Sequence, residues 1–86
     1  MINGKSVLEN INDSYDLLFT AEKKVADYIL KNAEHVVSAN VSELADLSGA
    51  SDATVIRMCK RIGYEGFYQM KIKLSHDLGK GSMVKI

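Results

Sequence analysis

Along most of the chain, apolar residues return at three- and four-residue steps, the period of a helix that buries one side. Val7, Leu8, Ile11, Tyr15 and Leu18 form the first such stripe, weakened in its middle by Asn12, Asp13 and Ser14. The second opens at Thr20, a good N-cap residue, with Glu22 in the first turn where the helix dipole favours an acid. It continues through Val25, Ile29 and Ala33. Val36 and Val37 then close a short helical turn, and polar Ser38, Ala39 and Asn40 cap or precede the next element.

From Val41 the pattern tightens. Residues 42–48 read as a two-turn helix closed by Gly49, whose access to positive φ suits a helix C-terminus. Ser51 supplies a hydroxyl cap and Asp52 an N-terminal acid for the following helix, in which Val55, Met58, Cys59 and Ile62 share one face. Gly63 ends that helix, and Tyr64, Glu65 and Gly66 form a short linker. A last helix buries Phe67, Met70, Leu74 and Leu78 and carries Lys71 and Lys73 on its other side. The expected fold is all-α, a small helical bundle of about five helices. The absence of proline and the presence of only six glycines agree with uninterrupted helices rather than a turn-rich β fold.

An 86-residue chain has room for one domain, expected over residues 1–78. Residues 79–86 have linker composition and no period, so they read as a tether or a frayed end, which favours a piece of a longer protein. A core this small does not support a deep catalytic cleft. One cysteine excludes an internal disulfide and points to the cytosol. No run approaches the ~20 apolar residues of a membrane span, and Glu9 arrives before an export signal's apolar region could form.

The two central helices, joined across Gly49, Ala50 and Ser51, have the spacing of a helix-turn-helix. Ala45 is small where the helices cross, Gly49 lies in the turn, and Val55 plugs the second helix into the core, with Leu44 and Met58 completing the contact. The helical period then turns Asp52, Ala53, Ile56, Arg57 and Lys60 outward, with Ser51 and Thr54 near the helix start.

Charge changes the picture at this point. The chain is neutral overall, but residues up to Thr54 carry four basic and nine acidic groups and the remainder seven basic and two acidic, so the halves are −5 and +5. Such a split suits a domain that turns one face to a polyanion, and it also suits halves that pair with each other. On the outward face, Arg57 has the planar fork for a guanine edge, and Ala53 and Ile56 suit a thymine methyl. Ser51, Thr54 and the free N–H groups of the helix start suit phosphate oxygens. Lys60, Arg61, Lys71 and Lys73 would supply charge along the backbone.

Three segments together resemble a known family: residues 20–30 (TAEKKVADYIL), residues 42–45 (SELA), and residues 51–67 (SDATVIRMCKRIGYEGF). They are similar to the N-terminal DNA-binding domain of RpiR-type bacterial transcriptional regulators, over about residues 18–78. The resemblance implies an all-helical domain that binds double-stranded operator DNA as part of a homodimer, with Ser51, Asp52, Ala53, Thr54 and Arg57 as readers and Lys60 and Arg61 behind them. It implies regulation of sugar or phosphosugar metabolism genes in the cytoplasm. In the family, a sugar-isomerase-type domain that senses phosphosugars follows; here none follows Leu78. The spare apolar residues Val7, Leu8 and Ile11 suggest one way two chains could pair.

Plainer readings stand beside these. The helical corner could dock protein instead of DNA. Arg57 could pair with Asp52 or Glu65, and Lys71 and Lys73 could be a solvated helix face. Cys59 on an apolar stripe reads as a core residue rather than a nucleophile. His35 and His76 lack partners at metal-ligand spacing and read as surface residues, while Tyr28, Tyr64, Phe67 and Tyr68 read as packing aromatics. No phosphate loop, paired-carboxylate or nucleophile motif is present, so neither an enzyme nor a cofactor is expected.

Overall fold

A computed structural model describes residues 5–79, and the expected tail beyond Gly79 lies outside the described residues. The described residues form six α-helices: α1 (Val7–Ser14), α2 (Thr20–Lys31), α3 (Ala33–Val36), α4 (Val41–Ser48), α5 (Asp52–Arg61) and α6 (Phe67–Asp77). The sixth, beyond the five or so expected, is the single turn α3.

The first stripe does not make one helix. α1 stops at Ser14, after the weak formers Asn12 and Asp13, and the chain tightens into a 3-10 turn over Tyr15–Leu17. Ser6 caps α1, its Oγ accepting the Glu9 N–H at 3.1 Å while Glu9 Oε1 accepts the Ser6 N–H at 2.9 Å. Nor is Thr20 the cap of α2. It is the first helical residue, and Phe19 takes the cap position with its N–H bonded to Glu22 Oε1 at 2.9 Å. The carboxylate reaching back from the first turn satisfies the orphan donor that a threonine cap would have left exposed. Asn40 and Glu43 repeat the reciprocal arrangement at α4.

The apolar stripes meet in one cluster. It joins Val7 and Ile11 of α1, Val25, Ala26 and Ile29 of α2, Leu44 and Ala45 of α4, Val55, Met58 and Cys59 of α5, and Phe67, Met70 and Leu74 of α6. Full burial of a side chain such as Leu44 or Met58 contributes about 1.5–3 kcal/mol. α2 packs against both α4 and α5, and α1 closes the bundle against α6 and α2. α1 is tied to α6 and to the α5–α6 linker where the Val7 N–H donates to Asp77 Oδ2 at 2.7 Å and Asn10 Nδ2 donates to the Tyr64 hydroxyl at 2.8 Å.

Val7 and Ile11 are therefore fully buried and Leu8 packs against the core, so the pairing surface expected of them is used within the chain. Cys59 is equally buried, and burial pushes its thiol up to about 12, well away from reactivity. Tyr68 departs from the packing expectation and stays 61% exposed.

Candidate nucleic-acid interface

The interface is built on the turn between α4 and α5. Gly49 adopts φ 76°, the left-handed conformation, and the chain closes α4 by the Ala50 N–H donating to the Ala45 carbonyl at 2.8 Å and the Gly49 N–H to the Asp46 carbonyl at 3.2 Å. Two residues on, Ser51 returns to extended backbone and its Oγ accepts the Thr54 N–H at 3.1 Å, starting α5. Reversal and restart thus take three residues. Ala45, 2% exposed, lies buried in α4 behind this turn.

The inner face of α5 is fixed by Val55, Met58 and Cys59, all at 0% exposure. Geometry then leaves Asp52, Ala53, Ile56, Arg57, Lys60 and Arg61 exposed, with Ser51 at the head of the helix. Ile56 remains 38% exposed. Among the described residues no hydrogen bond or ion pair holds the Arg57 or Lys60 side chain, so the pairing of Arg57 with Asp52 or Glu65 is not formed. Asp52 is instead held by Ser42 at the start of α4, whose hydroxyl donates to Asp52 Oδ2 at 2.9 Å. That bond pins the N-terminal end of α5, and Asp52 remains exposed.

Besides Ser51 and Asp52, four of the residues expected at the interface have internal partners. Thr54 is 7% exposed, its hydroxyl 3.0 Å from the capping Ser51 Oγ, so it faces the turn rather than solvent. Arg61 reaches back to α2: its Nε donates to Glu22 Oε1 at 2.8 Å and its Nη2 to Glu22 Oε2 at 3.1 Å, with the guanidinium 4.5 Å over the Phe19 ring. Lys71 donates to the Ala39 carbonyl at 2.8 Å and lies near the Phe67 and Tyr68 rings. Lys73 pairs with Asp77 at 2.6 Å. The structure thus brings together Ser51, Asp52, Ala53, Ile56, Arg57 and Lys60 on one open face, and turns the other four to structural contacts.

Glu22 sits beneath this face at 1% exposure. Burial alone would raise its pKa, but the hydrogen bonds from Arg61 and the Phe19 N–H and the charges of Arg61 and Arg57 hold it below the usual carboxylate range. Sequence spacing marked Glu22 only for its place in the first helical turn. Its role as the acceptor for Arg61, and Ser42's as the holder of Asp52, depend on contacts 39 and 10 residues apart that periodicity does not register.

Two short helices joined by a three-residue turn, the first packed against the second through Leu44 and Ala45 and the second presenting an open face with two unpaired cations, define a helix-turn-helix module. The helix-turn-helix domain of the rpiR family matches residues 5–81, and the chain belongs to that family. It is 42% identical over 60 residues to the uncharacterized HTH-type transcriptional regulator YbbH of Bacillus subtilis, which covers 70% of this chain and 21% of that protein. The crystal structure of the N-terminal domain of ybbH superposes with a TM-score of 0.81 at 35% identity, over 92% of this chain and 96% of that one. The NanR protein of Vibrio vulnificus, in complex with ManNAc-6P, matches with a TM-score of 0.83 at 32% identity, over 87% of this chain and 29% of NanR. The chain thus spans about a fifth to a third of the length of these full regulators. No described helix is long and apolar enough to cross a membrane, and no group of His, Cys, Asp and Glu among the described residues is placed to hold a metal ion.

Proposed function

We propose that this chain is the sequence-specific DNA-binding domain of a bacterial transcriptional regulator, with α5 entering the major groove. The observation that carries the reading is the open face of α5, where Ala53, Ile56, Arg57 and Lys60 are exposed together and neither cation is paired. Arg57 offers a bidentate fork to a guanine, and Ala53 and Ile56 offer apolar contact to a thymine methyl. Lys60 lies one turn from Ile56 toward the helix C-terminus and supplies charge to a phosphate. At the other end, the first N–H groups of α5 have no intrahelical acceptor and point, with Ser51, toward where a phosphate would sit. Asp52, held by Ser42, presents an acceptor to a cytosine amino group.

One such helix reads about half a site, so the domain acts as a homodimer on a two-fold operator. A phosphosugar effector would act through further protein of the kind that NanR, solved with ManNAc-6P, possesses beyond the matched 29% of its length. The genes under control would belong to sugar or phosphosugar metabolism, in the bacterial cytoplasm where the DNA lies.

Selection of bound duplexes from a random pool tests the reading, and a palindromic consensus is the expected result. Binding to that consensus should weaken steeply with salt, by about 0.9 in log Kd per log salt for each phosphate neutralised. The competing reading, a helical protein-docking module, draws on Leu17, Phe19, Tyr68 and Ile72, all more than 60% exposed. It predicts no enriched sequence and a flat salt response.

A further inference from the structure

Arg57 and Arg61 are one helical turn apart, both on the exposed side of α5, and a single buried carboxylate, Glu22, lies behind that side. A buried carboxylate left without a cation would draw in whichever guanidinium reached it first. Arg61 takes that place with two hydrogen bonds of 2.8 and 3.1 Å, and Phe19 covers its face at 4.5 Å. Arg57, the second positive charge whose field reaches Glu22, remains exposed without a hydrogen bond or ion pair among the described residues.

We propose that Arg61 is a positioning residue: by occupying Glu22 it both fixes the C-terminal end of α5 against α2 and keeps Arg57 turned toward the DNA. The inference rests on the DNA-binding reading and changes the part Arg61 plays in it. Arg61 is among the exposed cations of α5, and spacing alone makes it a phosphate contact. In the geometry described, its charge is spent on Glu22, and its effect on DNA is indirect.

The two roles predict opposite results for a double substitution. Kd is measured on the selected operator and on an unrelated duplex, at a temperature where helical circular dichroism shows each variant folded. Arg61→Gln is expected to weaken operator binding about tenfold and leave the unrelated duplex nearly unchanged, because Arg57 is captured by the vacated Glu22. Adding Glu22→Gln removes the competing charge, and R61Q/E22Q should return to within about threefold of wild type. If Arg61 touches phosphate, Arg61→Gln weakens both duplexes alike and Glu22→Gln rescues nothing. If Arg61 only stabilises the fold, folded Arg61→Gln binds as wild type does. Either result overturns the proposal.

Should Arg61→Gln not fold, the wild-type chain decides. The Nε–H signal of Arg61 should exchange slowly and stay in place when operator is added, while that of Arg57 moves. Movement of the Arg61 signal with Arg57 unmoved sinks the inference. A wild-type chain that selects no sequence overturns the proposed function, and this inference with it. A wild type that binds its operator but shows no rescue overturns this inference alone.

Discussion

α5 and α6 are built alike and present their charges differently. They have ten and eleven residues, each buries a methionine at 0% exposure, and together they carry most of the cations of the basic half. On α6, Lys71 ties the helix to the Ala39 carbonyl and Lys73 pairs with Asp77 of the same helix, so its positive charge is engaged within the protein. On α5, Arg57 and Lys60 reach solvent unpaired, and only Arg61 is engaged, by Glu22. A +5 half-chain is therefore not a +5 surface, and among the described residues of that half the unpaired cations both lie on α5.

The inner faces should be interchangeable in stability. Met58→Ala on α5 and Met70→Ala on α6 are each expected to cost about 2–5 kcal/mol, read as a lower urea midpoint, since both remove a fully buried side chain from one core. A large difference between them would show that one helix is docked more loosely than the packing indicates.

The outer faces should not be interchangeable. Arg57→Ala is expected to cost about 1–3 kcal/mol of binding to the selected operator, to relax preference at one base pair, and to shift stability by less than about 0.5 kcal/mol. If operator binding is unchanged, α5 is not the reader and the contrast with α6 loses its meaning. The turn that aims α5 comes next in size. Gly49 has φ 76° and open space where a Cβ would lie, so Gly49→Ala should cost about 1–2 kcal/mol from backbone strain alone, and Gly49→Asn less.

Acid should remove the engaged exception on α5. The folded-state pKa of Glu22 is depressed by Arg61, Phe19 and Arg57 against the opposing effect of burial. Its contribution is thus fully present above the unfolded carboxylate value of about 4.3 and is lost as pH falls through the lower folded value. Urea midpoints of wild type and Glu22→Gln should differ at pH 7, and the gap should start to narrow as pH falls below the unfolded carboxylate value of about 4.3. A gap that stays constant to pH 3 would mean that the pair contributes nothing through its charge.

How much of this was legible in the sequence follows the range of each interaction. The α5 and α6 stripes, the Gly49 turn and the Ser51 cap are set within a few residues of one another and form as the spacing predicts. The first stripe instead breaks at Ser14, and Ala33 falls in α3 beyond the end of α2. Thr20 was misplaced as a cap because threonine at a helix start is a good guess until a glutamate three residues after Phe19 takes the bond. The same local signature, Ser6 with Glu9 and Asn40 with Glu43, was equally readable. Which cations stay open was not. The partners of Arg61 and Lys71 lie 39 and 32 residues away, and only the packing of α2 and of the α3–α4 connection brings them near.

The smallest effect tests the contrast most finely. Lys73 and Asp77 are an i, i+4 pair on α6, and the Asp77 hydrogen bond pushes the Lys73 ammonium pKa up. Asp77 also receives the Val7 N–H through its other oxygen, and that bond does not need the lysine. Lys73→Ala should therefore cost only about 0.3–0.5 kcal/mol of stability, the usual worth of such a pair. It removes a full positive charge yet should leave both the operator Kd and its salt slope where they were. A slope lower by about 0.9 would mean that Lys73 leaves Asp77 for a phosphate. α6 would then lie against the DNA, and the division of labour between the two helices would be one of degree.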